Sequence, residues 1–247
     1  FNGGADNDTM AILGSGTSNY NSINIEMLNL DPGSGGYRML TGSHGGVNQF
    51  NVASGTVNVT NLAALGQAGG NVGVAAGATL ELNQNSTSTI GQNLSGAGTI
   101  RQMDGAFTLN GNSAGFSGTY VIDGNRTILG NSNALGTADI INNSLLQFGD
   151  FTVANDISGT GLVSHGGPGV GTLGGNNTFT GDLGILSGGI RLTSVNSAGT
   201  GNTIRGINPG IFGLELDIAA DGTLANNIGS GIALTKSGAG TVTLTGT

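Results

Sequence analysis

The chain contains no cysteine and no tryptophan, and charged residues make up only 8% of its 247 positions. Without cysteine it can form neither a disulfide scaffold nor a thiolate metal site, and it offers no thiol nucleophile. Only six residues are Lys or Arg against 14 Asp or Glu, which gives a net charge of −8. Because affinity for a phosphate backbone rests mainly on basic side chains, we expect no nucleic-acid partner.

We also expect neither a membrane-spanning helix nor a signal peptide within this sequence. No apolar stretch approaches the roughly 18 residues of a membrane-spanning helix, and no charged-then-apolar segment follows Phe1. Few Leu-rich periodic runs leave little material for helices, so the chain should be almost entirely β. Because the sequence starts at Phe1 and stops at Thr247 in the middle of a pattern, we expect it to be a fragment of a longer polypeptide.

What the chain does contain is glycine, at 50 residues, and enough hydrophobic residues, at 36%, to fold. Short segments alternate between apolar and polar residues and are bounded by Gly, Asn or Asp, which supply the backbone angles of tight corners. They are Thr79–Leu82, Phe107–Leu109, Leu145–Phe148, Gly213–Ile218 and Thr241–Leu244. This pattern predicts short strands with aliphatic side chains inward, Leu244 included, and Thr, Asn and Ser outward.

Three pairs of segments resemble one another, and the shift in residue number is identical in all three. The pairs are Leu94–Ile100 with Ile157–Val163, Gly115–Gly118 with Thr178–Gly181, and Ala134–Thr137 with Ser197–Thr200. A further strand-turn-strand module occurs three times, at Phe50–Thr60, Tyr120–Leu129 and Leu183–Leu192. A constant shift held over such a long stretch indicates a repeating structural unit.

The shared period of about 63 residues corresponds to three turns of about 21 residues, a size typical of a β-solenoid. The sequence therefore predicts an all-β parallel β-helix of about 12 turns. Residues 1–47 are the least regular part and should form the first turns, with one or two early strands such as Ile23–Leu30. Residues 48–247 carry the repeats and should continue the same β-helix.

The segment Leu234–Gly246 resembles the passenger-associated repeat of bacterial autotransporters, which has the pattern L-x-K-x-G-x-G-x-L-x-L-x-G. Two more degenerate copies, Leu94–Asn112 and Ile157–Asn177, lack the lysine that Lys236 supplies. The resemblance extends over residues 92–125, 155–188 and 234–247. It implies a right-handed parallel β-helix exported by a type V secretion system, with the repeats serving secretion and folding of the passenger.

The resemblance also implies a location and partners. Such passengers are carried across the outer membrane by a C-terminal translocator β-barrel, which this sequence does not include. They are commonly adhesins, and some carry toxins, proteases or esterases on appended domains. We therefore expect a protein at the bacterial cell surface or secreted, which contacts a host-cell or matrix surface of protein or glycan.

Several motifs invite a chemical interpretation. Gly169–Gly174 matches G-x-G-x-x-G, but no helix start follows it to hold a pyrophosphate, so we interpret it as a glycine-rich corner and expect no cofactor. Glu215 and Asp217 should project from one strand face about 6.5 to 7 Å apart, as in an inverting glycosidase. We favour solvated charges for this pair, and Asp221 is interpreted as a turn residue.

His44 and His165 are the only histidines, and each lies beside a pair of glycines. Because zinc needs at least a third ligand at a defined spacing, we interpret both as loop residues and expect no metal. No serine has the strand-to-helix context of a nucleophile elbow. Two hypotheses remain: an adhesive structural stalk without enzyme activity, or a polysaccharide-active β-helix enzyme that uses Glu215 and Asp217. Short, uncharged corners favour the first.

Overall fold

The computed structural model describes residues 1–246 and places them in two compact units. Unit 1 contains residues 1–125 and 133–138, and unit 2 contains residues 126–132 and those described from Asp139 onward. Both are built from short parallel strands. Helical structure in the described chain is limited to two 3-10 helices, at Leu62–Leu65 and Val195–Ala198. Together the two units contain about 12 turns of parallel β structure, which confirms the predicted β-solenoid.

Unit 1 contains fourteen strands, most of them four residues long. They are β1 (Thr9–Leu13), β2 (Gly16–Ser18), β3 (Met27–Asp31), β4 (Tyr37–Leu40), β5 (Gln49–Val52), β6 (Thr56–Val59), β7 (Asn71–Val74), β8 (Thr79–Leu82), β9 (Thr87–Ile90), β10 (Asn93–Gly96), β11 (Thr99–Gln102), β12 (Ala106–Leu109), β13 (Gly115–Phe116) and β14 (Thr119–Ile122).

Strands of successive turns stack in register within unit 1. The first sheet has the order β1-β3-β5-β7-β10-β13, the second contains β2-β4-β6-β8-β11-β14, and β9 pairs with β12 in a third. Leu28, Phe50, Val72 and Leu94 occupy one row of the first sheet and are all buried. Burying each such side chain contributes about 1.5–3 kcal/mol, so these rows form the continuous core that the alternation predicts.

Unit 2 contains fifteen strands. They are β15 (Arg126–Leu129), β16 (Asp139–Asn142), β17 (Leu145–Phe148), β18 (Thr152–Val153), β19 (Ile157–Ser158), β20 (Leu162–His165), β21 (Val170–Leu173), β22 (Leu183–Ile185), β23 (Gly189–Leu192), β24 (Thr203–Gly206), β25 (Phe212–Asp217), β26 (Gly222–Leu224), β27 (Asn227–Ile228), β28 (Ile232–Ser237) and β29 (Val242–Leu244). Its sheets follow the orders β15-β17-β20-β22-β24-β27 and β18-β21-β23-β25-β28, with two further pairs, β16-β19 and β26-β29.

The length of a turn varies more than the sequence period predicts. In unit 2, Ile140 pairs with Ile157 across a short turn, whereas Ile204 pairs with Ile228 across a distinctly longer one. The predicted turn length of about 21 residues therefore holds only as an average. The corners between strands differ in length from turn to turn, while the paired strands stay in register.

The repeated Ser-Gly-X-Gly segment forms a corner with a shared geometry. In its first copy Gly96 has a φ of 91°, and a Cβ at this position would lie 2.1 Å from the carbonyl O of Val74 in the preceding turn. The N–H of Gly98 donates to that same carbonyl at 3.0 Å. Only glycine allows the backbone to approach this closely with a positive φ. The first glycine leaves room for the carbonyl because it has no Cβ, and the N–H of the second glycine donates to that carbonyl.

The other two copies repeat this arrangement within unit 2. Gly159 packs on the carbonyl of Asn142, which accepts from the N–H of Gly161 at 2.8 Å. In the third copy the corresponding residues are Gly238, Ile218 and Gly240, and the hydrogen bond measures 3.0 Å. The sequence repeat therefore marks corners that hydrogen-bond to the turn before them.

The early chain and some inward positions differ from the predictions. Four strands, β1 to β4, lie within residues 1–47 instead of one or two. The strand predicted from Ile23 begins only at Met27, because Asn24 has a φ of 51°, a left-handed conformation that interrupts an extended chain. Gln102 occupies an inward row and is fully buried, with its amide donating to the carbonyl of Gly105 at 2.8 Å.

The sequence pattern predicted that Leu244 is buried, and this prediction is wrong, because the residue is 46% exposed. It stacks in register on Leu224, which is fully buried, and β29 has no second partner strand within residues 1–246. Lys236 stacks similarly on Leu216. Its ammonium donates to the carbonyls of Ile218 and Gly238, at 3.3 and 3.1 Å. The lysine of the repeat motif thus lies at a strand edge beside the glycine corner.

Candidate functional site

Glu215 and Asp217 lie on β25 and are both half-buried on its outward face. Glu215 accepts hydrogen bonds from Arg191 Nε and from Ser237 Oγ, each at 2.8 Å. The hydrogen bond from Arg191 is the largest cause, and that from Ser237 the next, of a pKa of the Glu215 carboxyl that lies below its usual value. A glycosidase acid needs a raised pKa, so this environment favours a charge-paired surface carboxylate.

The partner of Glu215 was missed at the level of sequence because Arg191 lies a full turn earlier in the chain. It becomes a neighbour only when β23 and β25 stack. Two further pairs bridge successive turns in the same way, Arg101 with Asp123 and Arg205 with Asp182. Their side chains are substantially exposed, and such pairs are worth about 0–1 kcal/mol each. Together the three pairs neutralise half of the basic residues locally.

His165 differs from the loop interpretation, whereas His44 lies outside the named strands and forms only an isolated bridge with Ser22. His165 is the last residue of β20 and is fully buried. Its Nδ1 lies 3.0 Å from the carbonyl O of Ser187, and its Nε2 lies 2.9 Å from Asp150 Oδ1. The other carboxylate oxygen of Asp150 accepts from the N–H of Gly169 at 3.0 Å. Both ring nitrogens are thus held by protein atoms, so the ring joins neighbouring turns.

His44 is also fully buried, and its Nδ1 lies 2.7 Å from Ser22 Oγ, whereas its Nε2 has no hydrogen-bond partner among the described residues. Burial, followed by the positive charge of the amino group of Phe1, lowers the pKa of His44. Because the ring lies within the packed interior beside Tyr20, this Ser-His pair has no access to a substrate. Its consequence is for stability.

Acidification should destabilise unit 1 through His44. Its folded pKa lies below the unfolded value of 6.5, so below pH 6.5 the unfolded state binds the proton first. We expect the free energy of unfolding to fall as the pH drops from about 7.5 to about 5.5, with a slope of up to about 1.4 kcal/mol per pH unit. Urea titrations at several pH values would measure this. In His44→Gln the slope should flatten, and an unchanged slope would exclude His44 as its source.

The glycine motif and Asp221 lie in or beside strands. Val170–Leu173 of the Gly169–Gly174 motif form strand β21 rather than a corner, and the next helical element begins only at Val195. Asp221 lies just before β26, where its Oδ1 accepts from the N–H of Thr241 at 2.6 Å. Among the described residues, no group of three or more His, Cys, Asp or Glu is arranged to hold a metal ion.

The outward faces of unit 1 carry rows of like polar side chains. Four half-buried threonines from β6, β8, β11 and β14 stand in register, namely Thr56, Thr79, Thr99 and Thr119. On the neighbouring sheet Asn51 Nδ2 donates to Asn29 Oδ1 at 2.8 Å, and Gln49 Nε2 donates to Asn51 Oδ1 at 2.6 Å. Adjacent strands are about 4.8 Å apart, so a hydroxyl or amide recurs at that interval.

Unit 1 also contains a cleft of about 490 Å³ between the first 3-10 helix and strand β9. It is lined by uncharged residues: Asn61, Leu62, Ala63, Gly66, Ala68, Gln84, Ser88, Thr89, Ile90, Gly91 and Gln92. We call this space the β9 cleft. Sequence reasoning missed it, although Asn61 followed by Leu-Ala-Ala-Leu is a helix-start signal that could have shown it. The Asn61 side chain indeed accepts from the N–H of Ala63.

The chain matches no family model, and comparison with curated proteins and with solved structures found no match. No helix within residues 1–246 has the length and apolar character needed to cross a membrane. Function must therefore be argued from the surfaces of the chain itself, because a β-solenoid scaffold by itself is compatible with many activities.

Proposed function

We propose that this chain is a structural and adhesive β-solenoid, a stalk whose outward polar rows contact a host cell, a matrix surface or a neighbouring cell. The threonine row of unit 1 carries this proposal. Thr56, Thr79, Thr99 and Thr119 present the same hydroxyl group once per turn, so a ligand with repeated groups can make several weak contacts together. Linked weak contacts raise the overall affinity well above that of any one contact.

The charge distribution supports a neutral ligand. Basic side chains of both units are engaged within their own unit. Arg101, Arg191 and Arg205 pair with carboxylates, while Arg38 and Lys236 donate to main-chain carbonyls. The net charge of −8 would repel an acidic polymer. A neutral glycan or an uncharged protein surface is therefore the favoured partner.

Export by type V secretion belongs to the same proposal. The resemblance of Leu234–Gly246 to the passenger-associated repeat supports it, as does the glycine corner that this segment shares with the copies at Gly96 and Gly159. We infer a location at the bacterial surface or in the medium. Labelling of intact cells with an antibody against the chain, together with immunoblotting of the medium, would test this. A signal only after lysis would contradict it.

Binding of the chain to arrayed glycans and matrix proteins tests the adhesive role. We expect binding to a neutral class of ligand, with an apparent affinity about tenfold weaker when all four threonines of the row are changed to alanine. The double variant Glu215→Ala with Asp217→Ala serves as the control and should bind normally. Equal binding by the threonine variant would refute the role of the row.

The same control variant tests the alternative enzyme. Glu215 and Asp217 share a strand face, the one observation that favours a polysaccharide-cleaving activity. Incubation of the chain with neutral and acidic polysaccharides, followed by detection of reducing ends, measures that activity. Cleavage that the double variant abolishes would replace the adhesive proposal with the enzyme.

A further inference from the structure

Strand β9 has a free edge inside unit 1. Among the described strands it pairs with β12 alone. Its main-chain hydrogen bonds to the β12 side are made by every second residue. Ala106 N donates to the carbonyl of Ser86 at 3.0 Å, and Asn110 N donates to that of Ile90 at 2.9 Å. In a parallel ladder the intervening residues direct their main-chain groups to the opposite edge. Thr87 and Thr89, both exposed, therefore offer N–H and C=O groups that no described strand pairs.

The neighbour on that side cannot complete the sheet. In the preceding turn the chain forms the first 3-10 helix, whose main chain is not extended and so offers no strand to pair with β9. Two glutamines connect the chain on either side of β9 to the 3-10 helix by hydrogen bonds. Gln84 Oε1 accepts from the N–H of Leu62 at 2.6 Å, and Gln92 Nε2 donates to the carbonyl of Gly66 at 2.8 Å. These residues flank β9, so the cleft is fixed at both ends before any ligand arrives.

The wall of the cleft combines polar and apolar residues and carries no charged side chain. Gln84 Nε2 donates to Ser86 Oγ at 2.7 Å and to Ser88 Oγ at 3.2 Å, which orients these hydroxyls along β9. A volume of about 490 Å³ lies within the roughly 300–1,000 Å³ typical of ligand sites. A charged ligand would lose solvation here without gaining a counter-charge, so an uncharged ligand is favoured.

We propose that the β9 cleft binds an extended, uncharged peptide segment of a partner protein, which adds as a strand to the free edge of β9. A peptide is favoured over a sugar because the donors and acceptors of Thr87 and Thr89 recur every second residue, about 6.6 to 6.8 Å apart, as in the main chain of another strand. Alternate side chains of the peptide would enter the cleft beside Ala68 and Ile90. This site is separate from the threonine row of the adhesive proposal.

Peptide selection on the purified chain tests this site. The probe is a phage-displayed library of short uncharged peptides, and the selected peptide is synthesised with a fluorescent label for anisotropy titration. On binding, NMR should show shifted amide signals at Thr87 and Thr89. Thr89→Pro removes one edge N–H without touching the β12 ladder and should weaken binding at least about tenfold.

Ala97→Thr, at an exposed position outside the lining of the cleft, is the control and should bind the peptide normally. Ala68→Phe fills the cleft from an exposed position and should also weaken binding, which covers the case in which Thr89→Pro disturbs folding. The fourfold threonine-to-alanine variant should bind the peptide normally, so this site and the adhesive row can fail separately. Failure to select any peptide, equal binding by Thr89→Pro and Ala68→Phe, or displacement of the peptide by a neutral hexasaccharide would overturn the proposal.

Discussion

Replacing Leu224 with aspartate is expected to lower the free energy of unfolding of unit 2 by about 4 kcal/mol or more. Leu224 is fully buried on β26. The substitution removes a packed aliphatic side chain and places a carboxylate in the apolar core. The expected loss is a large fraction of the stability of a typical domain. Urea unfolding followed by circular dichroism measures it.

The control for this prediction is the next residue of the same row. Leu244 pairs in register with Leu224 but is 46% exposed, so Leu244→Asp leaves its carboxylate in contact with water. We expect that variant to lose about 1 kcal/mol or less. Equal losses in the two variants would mean that burial within the stack does not govern stability here.

This pair also indicates what alternation in a sequence can predict. The alternation in Thr79–Leu82 and Leu145–Phe148 gave the correct strands and the correct inward residues. Alternation identifies the face on which a side chain lies, which is why the sequence predicts that Leu244 lies inward. Alternation does not indicate whether a further turn packs on the row, and the exposure of an inward side chain depends on that further turn.

Side-chain contacts between turns could not be predicted from the sequence for a related reason. Arg191 meets Glu215 and Asp150 meets His165 only because corners of particular lengths bring their strands into register. Turns of unequal length cannot be aligned from an average period. The β9 cleft depends on the same detail, since it exists where a 3-10 helix replaces a strand in one turn.

The glycine repeat was the most informative sequence signal, and the structure explains its spacing. Two glycines separated by one residue are needed because one approaches a carbonyl of the preceding turn and the other donates to it. The residue between them faces solvent, as the exposed Ala97 and Thr160 show. A motif with fixed glycines and a free middle position is therefore the sequence pattern of a corner that joins successive turns.

Substitution of Gly96 by alanine should test that explanation, with an expected loss of about 3 kcal/mol in the free energy of unfolding of unit 1. A non-glycine residue at a φ of 91° costs about 1–3 kcal/mol in backbone strain. The new Cβ would also lie 2.1 Å from the Val74 carbonyl, so the corner must move and weaken the Gly98 hydrogen bond. Ala97→Thr is the control. It copies the residue found at Thr160 and should change stability by about 0.5 kcal/mol or less. If urea unfolding gave the two variants the same stability, the repeated glycines would have no role in joining the turns.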